Sequence, residues 1–349
     1  MQLIPKSNFT TILNDKSVSL FNLKNKQGLV GQITNYGGRL ISLWTKDKND
    51  KLEDIVLGYN SIQDYLDADE MFFGAIIGRY GNRIAAGQFT LDNNTYGLET
   101  NNTPNHLHGG LHGFHNVVWD ANQISESKLE LYYTSNDGEA GYPGNLKVTV
   151  IYELTQENAL HISYSAKTDK KTIVNLTHHS YFNLQGAGSG TINNHLLQIY
   201  ASHYTPVNTN MIPTGEIASV KNSPFDFTES KPIGKDLDST NTQLQLGSGY
   251  DHNFVLDYRG LKKAAIVKET ISGRKMTVYT TEPGIQFYGG NHLNTKKAGK
   301  NNLYYNSQTG FCLETQHFPN SPNQPNFPST VLEPRDTYTS ICIYKFGII

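Results

Sequence analysis

The stretch KVTVIYEL at 147–154 carries Val148, Val150, Tyr152 and Leu154 at every second position, with Lys147, Thr149, Ile151 and Glu153 between them. ALHISYSAKT at 159–168 repeats the pattern: Leu160, Ile162, Tyr164 and Ala166 alternate with His161, Ser163, Ser165 and Lys167. A period of two sends successive side chains to opposite faces of a strand, so each stretch reads as a strand with one face on a core. Further strand-like runs lie at 18–24, 28–35, 39–45, 129–134, 196–200, 275–281 and 338–346. In the last, Ile341 and Ile343 oppose Cys342, Tyr344 and Phe346, which predicts a strand buried on both sides. Turn signals separate the runs: NYGG (35–38), DNN (92–94), NDGEAGYPGN (136–145), QGAGSG (185–190) and SGR (272–274). Many strands joined by Gly-, Asn- and Pro-rich turns predict an all-β sandwich or barrel. The one helix signal is SIQDYLDADE (61–70), with Ser61 as N-cap, Asp64 in the first turn, and Ile62, Tyr65 and Leu66 as a short apolar stripe. No fixed-period repeat or linker interrupts the chain, so residues 1–349 are expected to form a single domain.

Composition narrows the function classes. The 349 residues are 37% hydrophobic, 11% aromatic and 17% charged, with 31 Gly and 13 Pro, which suits a folded chain with a large core. Twenty-nine basic and 31 acidic residues leave a net charge of −2, so no global field attracts nucleic acid or anionic lipid. No run approaches the ~20 apolar residues of a membrane span, and the N-terminus lacks the apolar core of a secretory signal. Cys312 and Cys342 are too few for a disulfide framework and read as buried thiols in C-terminal strands. A cytoplasmic location is the expectation. Prolines at 319, 322, 325 and 328 have the three-residue spacing of polyproline II; an ordered surface loop is expected there rather than a docking ligand.

Three regions concentrate polar side chains beyond what strands require. The first joins GRYGNRI (78–84) to NHLHGGLHGFH (105–115), the second is NLTHHSYFNLQG (175–186), and the third comprises GYDHNF (249–254), EPGIQFYGGN (282–291) and FCLETQHFPNSPN (311–323). His106 and His108 would share one strand face and could chelate zinc or iron. Glycines at 109, 110 and 113 turn the chain away before His112 and His115, so these histidines read as polar turn or substrate-binding residues and no metal is expected. The DGE at 137–139 lacks the spacing and closing Glu of a calcium loop. His178 and His179 face opposite ways in a strand, so one of them at most points into a given site; histidine can move a proton near neutrality. Glu314, between an apolar strand and the Pro-rich loop, would become a useful base if desolvated. Asp251 alone reads as a turn residue.

At these residues the chain resembles the galactose mutarotase (aldose 1-epimerase) family. GRYGNRIA, NHLHGG, HSYFNL, YDHNF, EPGIQFY and LETQHFPNSPN occur in the family's order over nearly the whole chain. The resemblance implies a large antiparallel β-sandwich, a supersandwich with few short helices. It also implies interconversion of the α and β anomers of free aldohexoses such as galactose and glucose. By the same motifs Glu314 matches the catalytic base and His179 the catalytic acid. Arg83, His108 and Asp251 match sugar-binding residues, and Phe287 matches an aromatic lining the pocket. His178 stands where the family more often has Asn, and His115 where it more often has Asp.

Mutarotation needs a base for the O1 hydroxyl proton and an acid for the ring oxygen O5. One carboxylate and one imidazole suffice, without a cofactor. For His179 to start protonated, a nearby carboxylate should favour its charged form. The partner expected is a monosaccharide, not nucleic acid or membrane, and the assembly a monomer or homodimer. Two rivals stand beside this reading. A glycoside hydrolase would use Glu314 and Asp251 as its carboxylate pair. A sugar-binding module would keep the pocket without catalysis.

Overall fold

The computed structural model describes all 349 residues. KVTVIYEL and ALHISYSAKT form the strands Leu146–Leu154 and Ala159–Thr168, paired antiparallel with Val148 opposite Ala166 and Tyr152 opposite Ile162. Each buries the face its alternation marks. They lie inside a nine-stranded antiparallel sheet that runs from Asp120–Ser125 through Lys128–Ser135, these two strands, Tyr338–Ile348, Arg274–Thr280, Lys262–Lys268 and Leu196–Ile199 to Lys231–Pro232. A five-stranded sheet is ordered Ala218–Ser219, His203–Tyr204, Asp251–Val255, Gly284–Tyr288 and Cys312–Gln316. A four-stranded sheet holds Leu20–Lys24, Val30–Thr34, Leu40–Lys46 and Leu52–Asp54. One buried cluster joins Val150, Tyr152, Val278 and Tyr344 of the large sheet to Phe254, Ile285 and Leu313 of the second and Leu23, Ile33 and Leu43 of the third. The architecture is an all-β, antiparallel sandwich.

The strand at the C-terminus departs from its expected burial. Ser340, Cys342, Tyr344 and Phe346 are buried, but Ile341 and Ile343 on the other face are only half-buried. Their cover comes from cross-strand neighbours, His161, Ser163 and Tyr279, and not from a further layer. Both cysteines are buried and free. The helix signal yields one short helix, Ile62–Leu66, whose N-cap Ser61 accepts from the Asp64 N–H. A second, Thr242–Gly247, capped by the Asn241 side chain, carried no signal strong enough to be read.

Two features of the fold hold the site's walls. Arg79 of GRYGNRI is buried, and its guanidinium donates to the carbonyls of Ser135, Asn136, Pro143 and Gly144 and to Ser135 Oγ. Carbonyl acceptors all round satisfy a buried cation and tie this motif to the 136–145 turn. The Pro-rich segment is ordered as expected. It turns through a short 3-10 helix at Ser321–Asn323, with Tyr80 Oη donating to Phe318 O, Asn320 N donating to Arg83 O, and Asn320 Oδ1 accepting from Ala85 N. No helix is long and apolar enough to cross a membrane.

Candidate active site

Four pieces of backbone converge on a cavity of about 160 Å³. The five-stranded sheet supplies one wall. Its register puts Asp251 opposite Tyr288 and Tyr288 opposite Cys312, with Asn253, Gln286 and Glu314 aligned two residues along. Directly paired residues share a face, so Asp251, Gln286, Tyr288 and Glu314 belong to one side of the sheet. His252, Phe287 and Leu313 take the other side. Phe287 is therefore a core residue and not a pocket residue: it is fully buried and stacks on Tyr250 with ring centroids 5.2 Å apart. The parity was legible in GIQFY, because Ile285 and Phe287 share the apolar phase and Gln286 and Tyr288 the other.

The strand Thr177–His179, paired with Ala75–Ile77, supplies the second wall. His179 points into the cavity. His178 points the opposite way, against the rings of Tyr152 and Tyr344, with both ring nitrogens unpartnered. The departure at 178 is thus a core substitution that leaves the His179 side of the strand untouched. His179 Nε2 stands 3.7 Å from Glu314 Oε1, and both side chains are nearly sealed, at 6% and 2% exposure. They line one cavity. Glu314 Oε2 has no hydrogen-bond partner and is free to take a proton. The other imidazole nitrogen, Nδ1, lies 3.5 Å from Cys312 Sγ. Burial raises the Cys312 thiol well above its ordinary value, so it stays protonated. With Nδ1–H donating to the thiol sulfur, a neutral His179 presents a bare Nε2 to Glu314, the nitrogen that takes up or gives the mobile proton.

Electrostatics favour one shared proton. Burial, followed by the charge of Asp251, raises Glu314 well above the carboxylate range, and Arg83 offsets this only in part. Burial lowers His179 to about 4. The carboxylate expected beside His179 is present, but desolvation outweighs it, and the empty pair keeps its proton on the carboxyl rather than as an ion pair.

The third piece joins GNRI to NHLHGG. Leu107 pairs with Arg83, and the strand stops there because His108 is left-handed at φ 52° and Gly109 follows at φ 85°. A Cβ on Gly109 would meet Gly78 O at 1.9 Å, so only glycine fits. This turn separates two histidines expected on one face. His106 is locked between Glu99 O and Tyr142 Oη, both at 2.6 Å, whereas His108 enters the cavity. Asn82 N–H donates to His108 Nδ1 at 3.2 Å, which leaves Nε2–H as a donor into the cavity. Burial, then the charges of His179 and Arg83, hold His108 well below its ordinary value and keep it neutral. His112 is exposed and pairs with Glu99; His115 is buried behind Phe72. Arg83 NH1 faces Asp251 Oδ2 at 3.8 Å and its Nε donates to Asn102. Gln286 Nε2 donates to Asp251 Oδ1 at 2.7 Å.

The loop after the first helix is the fourth piece. Phe72 stacks on His179 at 5.6 Å and tilts over His108 at 4.7 Å. Phe72 and Tyr288, not Phe287, give the cavity its aromatic cover. Glu70, Tyr181, Asn82, Leu107 and His292 complete the lining. Gln286, Tyr288, Glu70 and Phe72 were missed in the sequence; for Glu70 and Phe72 there was no periodicity to follow. Larger cavities of about 390 and 440 Å³ lie elsewhere, beside Trp44 and beside Tyr133, but neither gathers a carboxylate and an imidazole this tightly. Ligand atoms of His108, His179 and Glu314 lie within 4.8 Å of one another, a two-histidine, one-carboxylate set that could also hold a divalent cation.

Comparison with known proteins gives the family. The family described as Aldose 1-epimerase matches residues 19–345. Galactose mutarotase of Bos taurus is 43% identical over 333 residues, 95% of each chain. Aldose 1-epimerase of Escherichia coli K12 is 37% identical over 331 residues, 94% of each. Among solved structures, galactose 1-epimerase of Lactobacillus acidophilus superposes with a TM-score of 0.85 at 31% identity, covering 97% of both chains. A GalM/aldose epimerase homologue of C. elegans reaches 0.86 at 28% identity, over 95% of this chain and 99% of its own. With the family model spanning nearly the whole chain and relatives 37–43% identical over 94–95% of it, the chain belongs to the aldose 1-epimerase family.

Proposed function

We propose that this protein is an aldose 1-epimerase, a galactose mutarotase that interconverts the α and β anomers of free aldohexoses such as D-galactose and D-glucose. The observation that carries the reading is a carboxylate and an imidazole, 3.7 Å apart, on one cavity of monosaccharide size. Glu314 is the base and His179 the acid. Glu314 takes the O1 proton as His179 Nε2 gives one to O5; the C1–O5 bond breaks and C1=O1 forms. The open aldehyde rotates about C1–C2, and closure on its other face reverses both transfers. The pair holds one proton throughout, on Nε2 while the ring is closed and on Glu314 while it is open. Burial disfavours the ion pair present with the closed ring and so assists opening, while the weaker acid it makes of Glu314 remains close enough to return the proton. Arg83, His108 and Asp251 hold sugar hydroxyls, and Phe72 and Tyr288 cover an apolar face. We take the unit to be a single domain of residues 1–349, cytoplasmic, working as a monomer or homodimer and without a cofactor.

Polarimetry of freshly dissolved α-D-galactose, compared with glucose, xylose and arabinose, tests the activity. Rotation should relax faster than in buffer and should do so in EDTA. No acceleration rejects the function, and loss on chelation brings a metal into the site. The glycosidase rival would use the protonated Glu314 as acid and Asp251 as nucleophile or base, but both Asp251 oxygens are engaged, Oδ1 by Gln286 and Oδ2 facing Arg83. Reducing sugar released from an aryl galactoside would revive it. Gln286→Leu removes the donor that orients Asp251. A hydrogen bond to a charged group is worth about 1.5–3 kcal/mol, so KM for galactose should rise at least about tenfold with a smaller change in kcat. Unchanged KM would show that Asp251 does not bind the sugar.

A further inference from the structure

The charges that face the cavity are unequal. Three carboxyl groups line it, those of Glu314, Asp251 and Glu70, against one guanidinium, Arg83. Arg83 is already engaged by Asp251 and Asn102. Arg39 is near Glu70, but its NH1 and NH2 donate to the carbonyls of Phe73 and His115, so those donors are turned away from the cavity. Burial keeps His108 and His179 uncharged in the empty site, and His292 at the rim is exposed to solvent. A ligand therefore meets no uncommitted cation.

Glu70 differs from the other acids of its neighbourhood. Asp64 and Asp67 on the same short helix and loop pair with Lys297, and Asp54 pairs with Lys300. Glu70 has no such partner. Its Oε1 accepts the local Phe72 N–H, at 2.9 Å, which fixes the carboxyl beside the aromatic that covers the site; burial raises it above its ordinary value, and the Phe72 N–H, the Tyr181 hydroxyl and the Arg39 charge offset this. Glu314, almost sealed and with Oε2 unpartnered, opens onto the same space. The charges of Asp251 and Glu70 both raise the cost of ionising Glu314, and a further negative charge brought into this space meets the same repulsion.

Resting on the function proposed above, we propose that Glu70 is a specificity-determining residue, a charge filter that admits uncharged and cationic aldoses and turns away aldoses bearing a carboxylate or a phosphate. Like charges brought together in a partly dry site cost far more than in water, and a specificity gap is often built by repulsion of the wrong ligand.

The test compares anomer exchange, followed by NMR, for galactose and galacturonate near neutral pH, in the wild type, Glu70→Gln and Glu70→Asp. The wild type should favour galactose in kcat/KM by at least about 10²-fold. Glu70→Gln should narrow that ratio by about tenfold, and Glu70→Asp, which keeps the charge, should preserve most of it. The ratio is the readout, so a general loss from a displaced loop cancels. A wild-type ratio under about tenfold, or one unchanged in Glu70→Gln, overturns the inference. An independent reading needs no variant: galactosamine should inhibit galactose turnover at concentrations at least about tenfold lower than galacturonate, and equal or reversed potency overturns the filter. Absence of galactose exchange in the wild type would instead refute the proposed function.

Discussion

Glu314→Gln should bind galactose within a few-fold of the wild type while its turnover falls by at least about 10²-fold and toward 10⁴-fold. The amide keeps the shape and an acceptor oxygen but cannot take the O1 proton, so the loss falls on kcat. Protein folding gives an internal control. Glu314 lies well above its ordinary value in the folded state, so the folded protein binds more protons than the unfolded one from the usual carboxylate range up to that raised value. Stability in that window falls as pH rises. Removing the buried, half-unpartnered carboxylate should therefore raise the Tm at neutral pH, with the gain vanishing below the unfolded carboxylate value. A variant that is slow yet no less stable cannot be dismissed as misfolded. Near-normal turnover would reject Glu314 as the base.

What the chain disclosed in advance follows its physics. Val148 to Leu154 and Leu160 to Ala166 face the core because a period of two leaves little freedom once one face is apolar. The motif match places Phe287 in the pocket, whereas the alternation within that motif assigns it to the core beside Leu313. The outer face of the Tyr338–Ile348 strand differs for a related reason: Ile341 and Ile343 look like core residues in isolation, but side-by-side cover within a sheet is invisible in a single strand. His106 and His108 parted because a left-handed residue at 108 broke the strand, a turn that Gly109 and Gly110 hinted at without locating. Glu314 and His179 stand 3.7 Å apart although distant in the chain, a proximity that only register across two sheets creates. Glu70 and Phe72 lie on an irregular loop, where neither period nor motif fixes which side chain turns inward.

His179→Gln should likewise lower galactose turnover by about 10²–10⁴-fold, and its pH profile should separate it from a merely structural change. Productive catalysis requires a pair holding one proton. In the free enzyme the second proton adds as pH falls through about 4, where burial has placed His179, and the last proton leaves above the raised value of Glu314. The wild-type kcat/KM should therefore form a bell with its acid limb near 4 and its alkaline limb above the ordinary carboxylate range, both values belonging to the pair. His179→Gln removes the acid limb, whereas a substitution that only loosens the pocket lowers the whole curve without moving either limb. The double variant with Glu314→Gln supplies the remaining discrimination. Two groups that pass one proton between them fail together, so the double variant should be no more than about threefold slower than the worse single variant. Independent, multiplicative losses would mean that the carboxylate and the imidazole serve separate steps, and the single-proton relay across the sugar ring would have to be abandoned.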